Sequence, residues 1–316
     1  MEIKRLTVGN ATLDSNIFLA PIAGYTDYAF RKATYTFGYG LSFTELVSAK
    51  GLFFGGNNSA ELLKADDYER TSAQLFGADP FYMRTACESD YLKPYKFVDI
   101  NMGCPVPKVY KNGEGSALLN DIKKAELIIK ECVKSGKIIT VKIRKGLKAG
   151  DDIATDFAKM AENAGASLIT IHARVREDYY SGDPDYDCIK RAKQSVKIPV
   201  IANGGIFTVE DADKMINETG ADGVMLARGA ISNPFLVCEL LKKDNPTDIK
   251  SFIINHFNLM IESLGTNRAV AEFRKFVPYY FKGKDNAKAV KLAVNSASEP
   301  IQVLTALNEY FSCENF

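Results

Sequence analysis

Residues 167–227 decide the fold. They read Ser167-Leu-Ile-Thr-Ile-His172, a helical segment over 186–196, Ile198-Pro-Val-Ile-Ala202, a second helical segment over 209–219, Gly220, and Asp222-Gly-Val-Met-Leu-Ala227. Each β-type run is mostly apolar, which marks strands covered on both faces, and such strands belong to parallel sheets. The same alternation extends upstream. β-type runs occupy 16–20, 41–45, 71–76, 97–101 and 138–143, with helical segments at 27–36, 80–89, 121–135 and 154–164. Gly136, Gly165 and Gly220 stand where helix C-caps favour glycine. Eight such runs predict an α/β fold, a (β/α)8 TIM barrel. An open doubly wound sheet is the rival, but no GxGxxG follows the first strand.

Beyond residue 242 no β-type run appears. Asp244-Asn-Pro-Thr-Asp248 reads as a linker or helix start, and 250–265, 268–280, 286–296 and 300–311 read as helices. Two domains are expected: a barrel over 1–242 and a small C-terminal helical domain over 243–316. From Arg268 to Lys291 there are seven basic and two acidic residues. A solvated helical face and a surface for phosphate backbone both account for that excess.

Over the whole chain, 40 Lys and Arg balance 39 Asp and Glu, which excludes a globally basic nucleic-acid binder but leaves room for a local patch. No apolar run approaches the length of a membrane span, so no membrane association is expected. The chain opens without the apolar core of a signal peptide. The cysteines at 87, 104, 132, 188, 238 and 313 show no CxxC spacing, and His172 and His256 are the two histidines. No metal site and no disulfide framework are expected, and a reducing cytoplasm is the natural setting. A monomer is expected.

In a barrel of this kind chemistry sits at the C-terminal strand ends. Those ends carry Gln74, Asn101, Cys104, Lys142, Arg144, His172, Arg174, Asn203-Gly204-Gly205 and Ala227-Arg228-Gly229. Singly, a strand Gln or Lys is a rim residue and a lone His a hydrogen-bonded core residue. Together they place several polar groups in one cavity, which is unfavourable unless a ligand satisfies them. A planar heteroaromatic cofactor with an anionic tail would do so, its phosphate meeting the amides after the last two strands and Arg228. Lys142 and His172 suit the polar edge of a flavin ring, where a cation stabilises the reduced anion. Cys104, followed by Pro105, reads as a neutral thiol able to act as a general acid. The alternative is a buried structural cysteine, the reading taken for the other five.

At these residues the sequence resembles the tRNA-dihydrouridine synthases over nearly its whole length. The carrying stretches are Leu19-Ala20-Pro21-Ile22-Ala23-Gly24-Tyr25-Thr26-Asp27 with Phe30-Arg31, Asp99-Ile100-Asn101-Met102-Gly103-Cys104-Pro105 with Lys108, and Gly113-Glu-Gly-Ser-Ala-Leu-Leu. Val141-Lys142-Ile143-Arg144, His172-Ala-Arg-Val-Arg-Glu-Asp-Tyr-Tyr-Ser-Gly182, Asn203-Gly204-Gly205 and Met225-Leu-Ala-Arg228-Gly229 follow in order. Arg274-Lys275 with Tyr279-Tyr280 and Lys282-Gly283 resembles the family's tRNA-facing helical region. The sequence departs from the family at Asp178, Tyr186 and Phe276, where Gln, Trp and His are frequent. The resemblance implies FMN bound by Pro21, Ile22, Ala23, Gln74, Lys142, His172, Asn203, Gly204, Gly205, Ala227 and Arg228. It implies NADPH as reductant, hydride transfer to uracil C6 and protonation of C5 by Cys104. Asn101, Arg174 and Arg176 are candidate readers of the uracil edge, and Arg274 and Lys275 candidate tRNA contacts. The rivals are another flavin barrel acting on a free pyrimidine, such as a dihydroorotate or dihydropyrimidine dehydrogenase, and a catalytically silent RNA-binding barrel.

Overall fold

The computed structural model describes residues 1–313. The chain opens with a hairpin, β1 (Leu6–Val8) and β2 (Ala11–Leu13), paired antiparallel. The sequence reading lacks it because three-residue strands are too short for periodicity to register. Its inward residues Leu6, Val8, Ala11 and Leu13 pack on Phe18, Phe43, Phe97, Ile138, Leu168 and Ile201, which lie at or near the starts of barrel strands. This apolar plug closes the N-terminal end of the barrel, so its mouth lies at the C-terminal end.

Eight barrel positions follow. They are β3 (Ile17–Leu19), β4 (Ser42–Phe43) continued by β5 (Val47–Ser48), β6 (Thr71–Phe76), β7 (Phe97–Met102), β8 (Ile138–Gly146), β9 (Leu168–Val175), β10 (Val200–Asn203) and β11 (Gly223–Leu226). The barrel neighbours pair in parallel in the order β3-β11-β10-β9-β8-β7-β6-β4. The Leu19 amide donates to the Leu41 carbonyl at 3.0 Å and the Gly40 amide to the Ile17 carbonyl at 2.9 Å, which closes the ring. The expected TIM barrel is therefore present. Of the run expected at 41–45 only Ser42–Phe43 is strand, and the pairing resumes beyond it at Val47–Ser48. Ser42 pairs with Thr71 and Val47 with Leu75, so five steps on one side oppose four on the other. The extra residue makes a bulge, and Leu46 beside it lines the barrel mouth.

Helices start where the sequence supplies caps. Asp79, Asp121 and Asp185 each accept a backbone N–H of the first turn, and Thr208 forms a capping box with Asp211. Gly136, Gly165 and Gly220 follow their helices with positive φ. Cys87, Cys132, Cys188 and Cys238 are buried and unbridged, while the side chain of Cys313 lies outside the described residues.

The C-terminal region is helical, with helices Ile249–Leu264, Thr266–Phe273, Val277–Tyr280, Ala287–Ser296 and Pro300–Cys313. The single helix expected over 268–280 is broken between Phe273 and Val277. Pro278 sits in the first turn of the second piece, where it needs no N–H donor. In a continuous helix its ring would clash with the preceding turn. These helices share the barrel's core. Phe30 stacks on Phe276 at 6.3 Å and meets Phe252 edge-on at 6.3 Å. No helix among the described residues is long and apolar enough to cross a membrane.

Candidate active site

Strand periodicity builds the site. On β8, Ile139, Val141 and Ile143 belong to the apolar packing, while the alternate residues Thr140, Lys142 and Arg144 carry polar groups. Parallel register sets the polar sets side by side: Gln74 beside Asp99, Asn101 beside Lys142, and His172 beside both Arg144 and Asn203. The result is one cavity of about 410 Å³ at the C-terminal mouth. Pro21, Ile22, Ala23, Gln74, Asn101, Cys104, Lys142, His172, Arg174, Asn203, Gly204, Gly205, Ala227 and Arg228 all line it. Arg176, Arg274 and Lys275 stand outside that lining.

The Lys142 ammonium donates to Asn203 Oδ1 at 3.1 Å, and Asn203 Nδ2 in turn donates to the Met225 carbonyl at 2.8 Å. Burial, followed by the neighbouring Arg144, pushes Lys142 down to about 8. His172 is held well below its usual value by burial and then by the surrounding Arg144 and Lys142, so its ring is neutral. Arg174 Nη1 lies 3.3 Å from His172 Nε2. A guanidinium only donates, so Nε2 accepts and Nδ1 carries the proton. The Arg174 fork is also committed to the Gly182 carbonyl, through Nε at 3.0 Å and Nη2 at 2.8 Å.

Cys104 sits on a loop fixed from several directions. Its amide donates to Asn101 Oδ1 at 2.8 Å, and its carbonyl accepts the Ser116 hydroxyl at 2.7 Å and the Ser116 amide at 3.1 Å. Gly115 makes the second contact possible. It sits at φ +60°, and a side chain there would place a Cβ 3.0 Å from the Cys104 Cβ. Burial raises the thiol above its ordinary value, so Cys104 holds its proton at neutral pH.

The backbone after β10 is equally constrained. Gly204 has φ +121°, and a Cβ there would stand 2.9 Å from His172 Cδ2. A helix begins at Arg228 with no side-chain cap from Ala227, which leaves its first amides for an acceptor. The Arg228 guanidinium lies over the Tyr180 ring at 4.8 Å and the Phe207 ring at 5.6 Å.

Of the predicted residues outside the lining, Arg176 lies over the Tyr110 ring at 4.0 Å, against the short helix Pro107–Lys111 that follows Cys104. Lys275 pairs with Glu272 and lies 5.7 Å from the Tyr25 ring, beside the loop after β3. Arg274 is exposed, and its Nη2 donates to the Ala297 carbonyl at 2.8 Å. Three residues given no role in the sequence reading are prominent here. Arg144 donates to three backbone carbonyls, Tyr180 lines the mouth, and Asp99 lies buried behind Gln74. Arg144 was legible as the next inward position after Lys142. Tyr180 carried no periodic signal, because it lies on a loop.

Solved structures with the same architecture match at low identity. They include histamine dehydrogenase from Rhizobium sp. 4-9, with TM-score 0.58 and 13% identity, covering 81% of this chain and 50% of that one. The old yellow enzyme homologue from Zymomonas mobilis has TM-score 0.55 and 13% identity, over 77% of this chain and 93% of that one. These likenesses establish the fold. Sequence relatives are nearer. The probable tRNA-dihydrouridine synthase of Rickettsia conorii is 34% identical, over 97% of this chain and 96% of its own length. The tRNA-dihydrouridine synthase B of Pasteurella multocida is 33% identical over 97% and 96%. The family model for dihydrouridine synthases matches residues 18–314, the barrel and the C-terminal helices together. With that match and those relatives over nearly full length, the chain belongs to the dihydrouridine synthase family.

Proposed function

We propose that this protein reduces the C5=C6 bond of uridines in tRNA to dihydrouridine, with FMN as resident cofactor and NADPH as electron donor. The observation that carries the reading is the convergence of Cys104, Lys142 and His172 on one cavity.

The residues present suit a flavin. Lys142 spends one N–H on Asn203, which leaves two donors for an electron-rich ring edge. Gln74 keeps one amide hydrogen after bonding Asp99. At the far end Arg228 and the amides after β11 suit a phosphate, and Gly204 admits a group close to His172. When bound and reduced, FMN supplies the hydride for uracil C6.

The chain's own residues do the rest. Cys104 Sγ gives its proton to C5, and the thiolate left behind is stabilised by Arg144 and Lys142 until solvent returns a proton. Asn101 holds Gln74 and the Cys104 loop, and its second Nδ2 hydrogen remains for the uracil edge. Arg174 retains donors for the uracil edge beyond those used on Gly182 and His172. Arg176, held on Tyr110, steadies the catalytic loop. Addition to C5=C6 requires an unstacked base reached from its face. The helical domain over 243–316, with Arg274 and Lys275, grips the tRNA backbone that presents it.

Cys104→Ala tests the assignment. The variant should keep its flavin absorbance and NADPH bleaching, while dihydrouridine formation, measured by mass spectrometry of digested tRNA, falls by about 10²-fold or more. Full turnover would remove Cys104 from the mechanism.

A further inference from the structure

The buried carboxylate behind the cavity has a directional hydrogen-bond chain in front of it. Asp99, on β7, is fully buried. Its Oδ2 accepts from Gln74 Nε2 at 2.7 Å, and its Oδ1 accepts from the Thr140 hydroxyl at 2.6 Å. Gln74 Oε1 accepts from Asn101 Nδ2 at 2.9 Å. Asn101 Oδ1 accepts from the Gly103 amide at 3.1 Å and the Cys104 amide at 2.8 Å. Two side-chain amides, those of Gln74 and Asn101, thus connect the buried Asp99 carboxyl to the backbone of the proposed proton donor.

Both ends of this chain fix its direction. Backbone amides only donate, so Asn101 must offer them its oxygen and turn its NH2 toward Gln74. Burial raises the Asp99 carboxyl to about 6, which leaves it ionised at neutral pH. An ionised carboxylate only accepts, so Gln74 must offer it NH2 and turn its oxygen toward Asn101. The two demands agree, and every link polarises the next in the same sense. Gln74 then presents a defined remaining hydrogen and lone pair to the cavity. Without an acceptor at residue 99, the Gln74 amide is free to reverse. A reversed Gln74 would set NH2 against the Asn101 NH2 and loosen the bond that holds the Cys104 amide.

We propose that Asp99 is a positioning residue: its carboxylate sets the orientation of the Gln74 and Asn101 amides and through them the placement of the Cys104 thiol. The role in catalysis rests on the function proposed above, but the placement of the thiol does not. It can be read in protein without cofactor or tRNA.

The experiment measures the rate at which iodoacetamide alkylates Cys104, followed by mass spectrometry of the peptide, in flavin-free wild-type protein and three variants. Asp99→Leu removes the acceptor, and Gln74→Met breaks the next link while leaving the carboxylate. Asp99→Asn can still accept from Gln74 through its oxygen and donate to the Thr140 hydroxyl. Asp99→Leu and Gln74→Met should each change the alkylation rate by about tenfold, with Asp99→Asn restoring it to within about twofold of wild type. Thermal melting, run in parallel, identifies a variant that fails to fold. If Asp99→Leu does, Gln74→Met carries the same comparison. Equal rates in all four proteins, or an Asn variant as altered as the Leu variant, would overturn the proposal. Failure of tRNA reduction in wild-type protein would overturn the function and leave this result standing.

Discussion

Arg144 Nε donates to the Gly103 carbonyl at 3.0 Å, and so ties strand β8 to the residue immediately before Cys104. The same guanidinium donates through Nη1 to the Val175 carbonyl at 3.0 Å and the Tyr179 carbonyl at 2.9 Å. One buried cation therefore clamps the cysteine loop against the segment after β9. Burial pushes it down only to about 10, which leaves it charged at neutral pH.

Removing that clamp leaves three carbonyls without this donor. Arg144→Leu should lower unfolding free energy by about 3 kcal/mol, because buried acceptors lose their partner. Dihydrouridine formation should fall by roughly 10²-fold as the Cys104 loop shifts. Chemical denaturation and tRNA digestion with mass spectrometry read the two effects. Wild-type stability together with wild-type turnover would show that the loop holds itself.

Lys142 makes a signed pH prediction. Burial and Arg144 lower it from 10.5 to about 8. Between those values the unfolded chain holds a proton that the folded chain has released, so on this residue's account stability rises with pH. Below about 8 the flavin-free fold bears the buried cation. Lys142→Met removes it, so the variant should be the more stable protein at pH 7. Its advantage should shrink as pH climbs from 8 to 10.5. Denaturation curves across that range check the slope, and a flat difference would show that folded Lys142 titrates as an exposed lysine does.

The basic residues of the helical region make a salt-dependent prediction. Arg274→Glu with Lys275→Glu should weaken tRNA binding by about tenfold or more, and reduce the slope of log affinity against log salt by roughly two. Flavin absorbance should be unchanged. The Arg274 change also removes a donor from the Ala297 carbonyl, so a small drop in melting temperature is expected alongside. Unchanged tRNA affinity would place the RNA surface elsewhere.

The barrel was legible because its apolar β-type runs alternate with helical segments, and because Gly136, Gly165 and Gly220 punctuate its helices. The strands at β8 and β9 also announced which residues face inward, since Lys142 and His172 interrupt otherwise apolar runs. What escaped the sequence depends on contacts between distant segments. The hairpin of Leu6–Val8 and Ala11–Leu13 is too short to show a period. Asn101 lines the cavity as expected, but its bonds to Gln74, Gly103 and Cys104 show only in the fold. Arg176 sits two positions from Arg174 but turns to Tyr110, a contact that no spacing along the chain encodes. Asp99 reads as part of a strand until register sets it behind Gln74.

The central claim is tested most directly by a reduction–reoxidation experiment. The purified protein is bleached anaerobically with NADPH, then mixed with tRNA from cells that lack dihydrouridine, while the visible spectrum is followed. The account predicts that the flavin colour returns with tRNA and not with free uridine or orotate, and that dihydrouridine appears in the tRNA. A flavin that bleaches but ignores tRNA, or a protein that binds tRNA without any flavin, would contradict it.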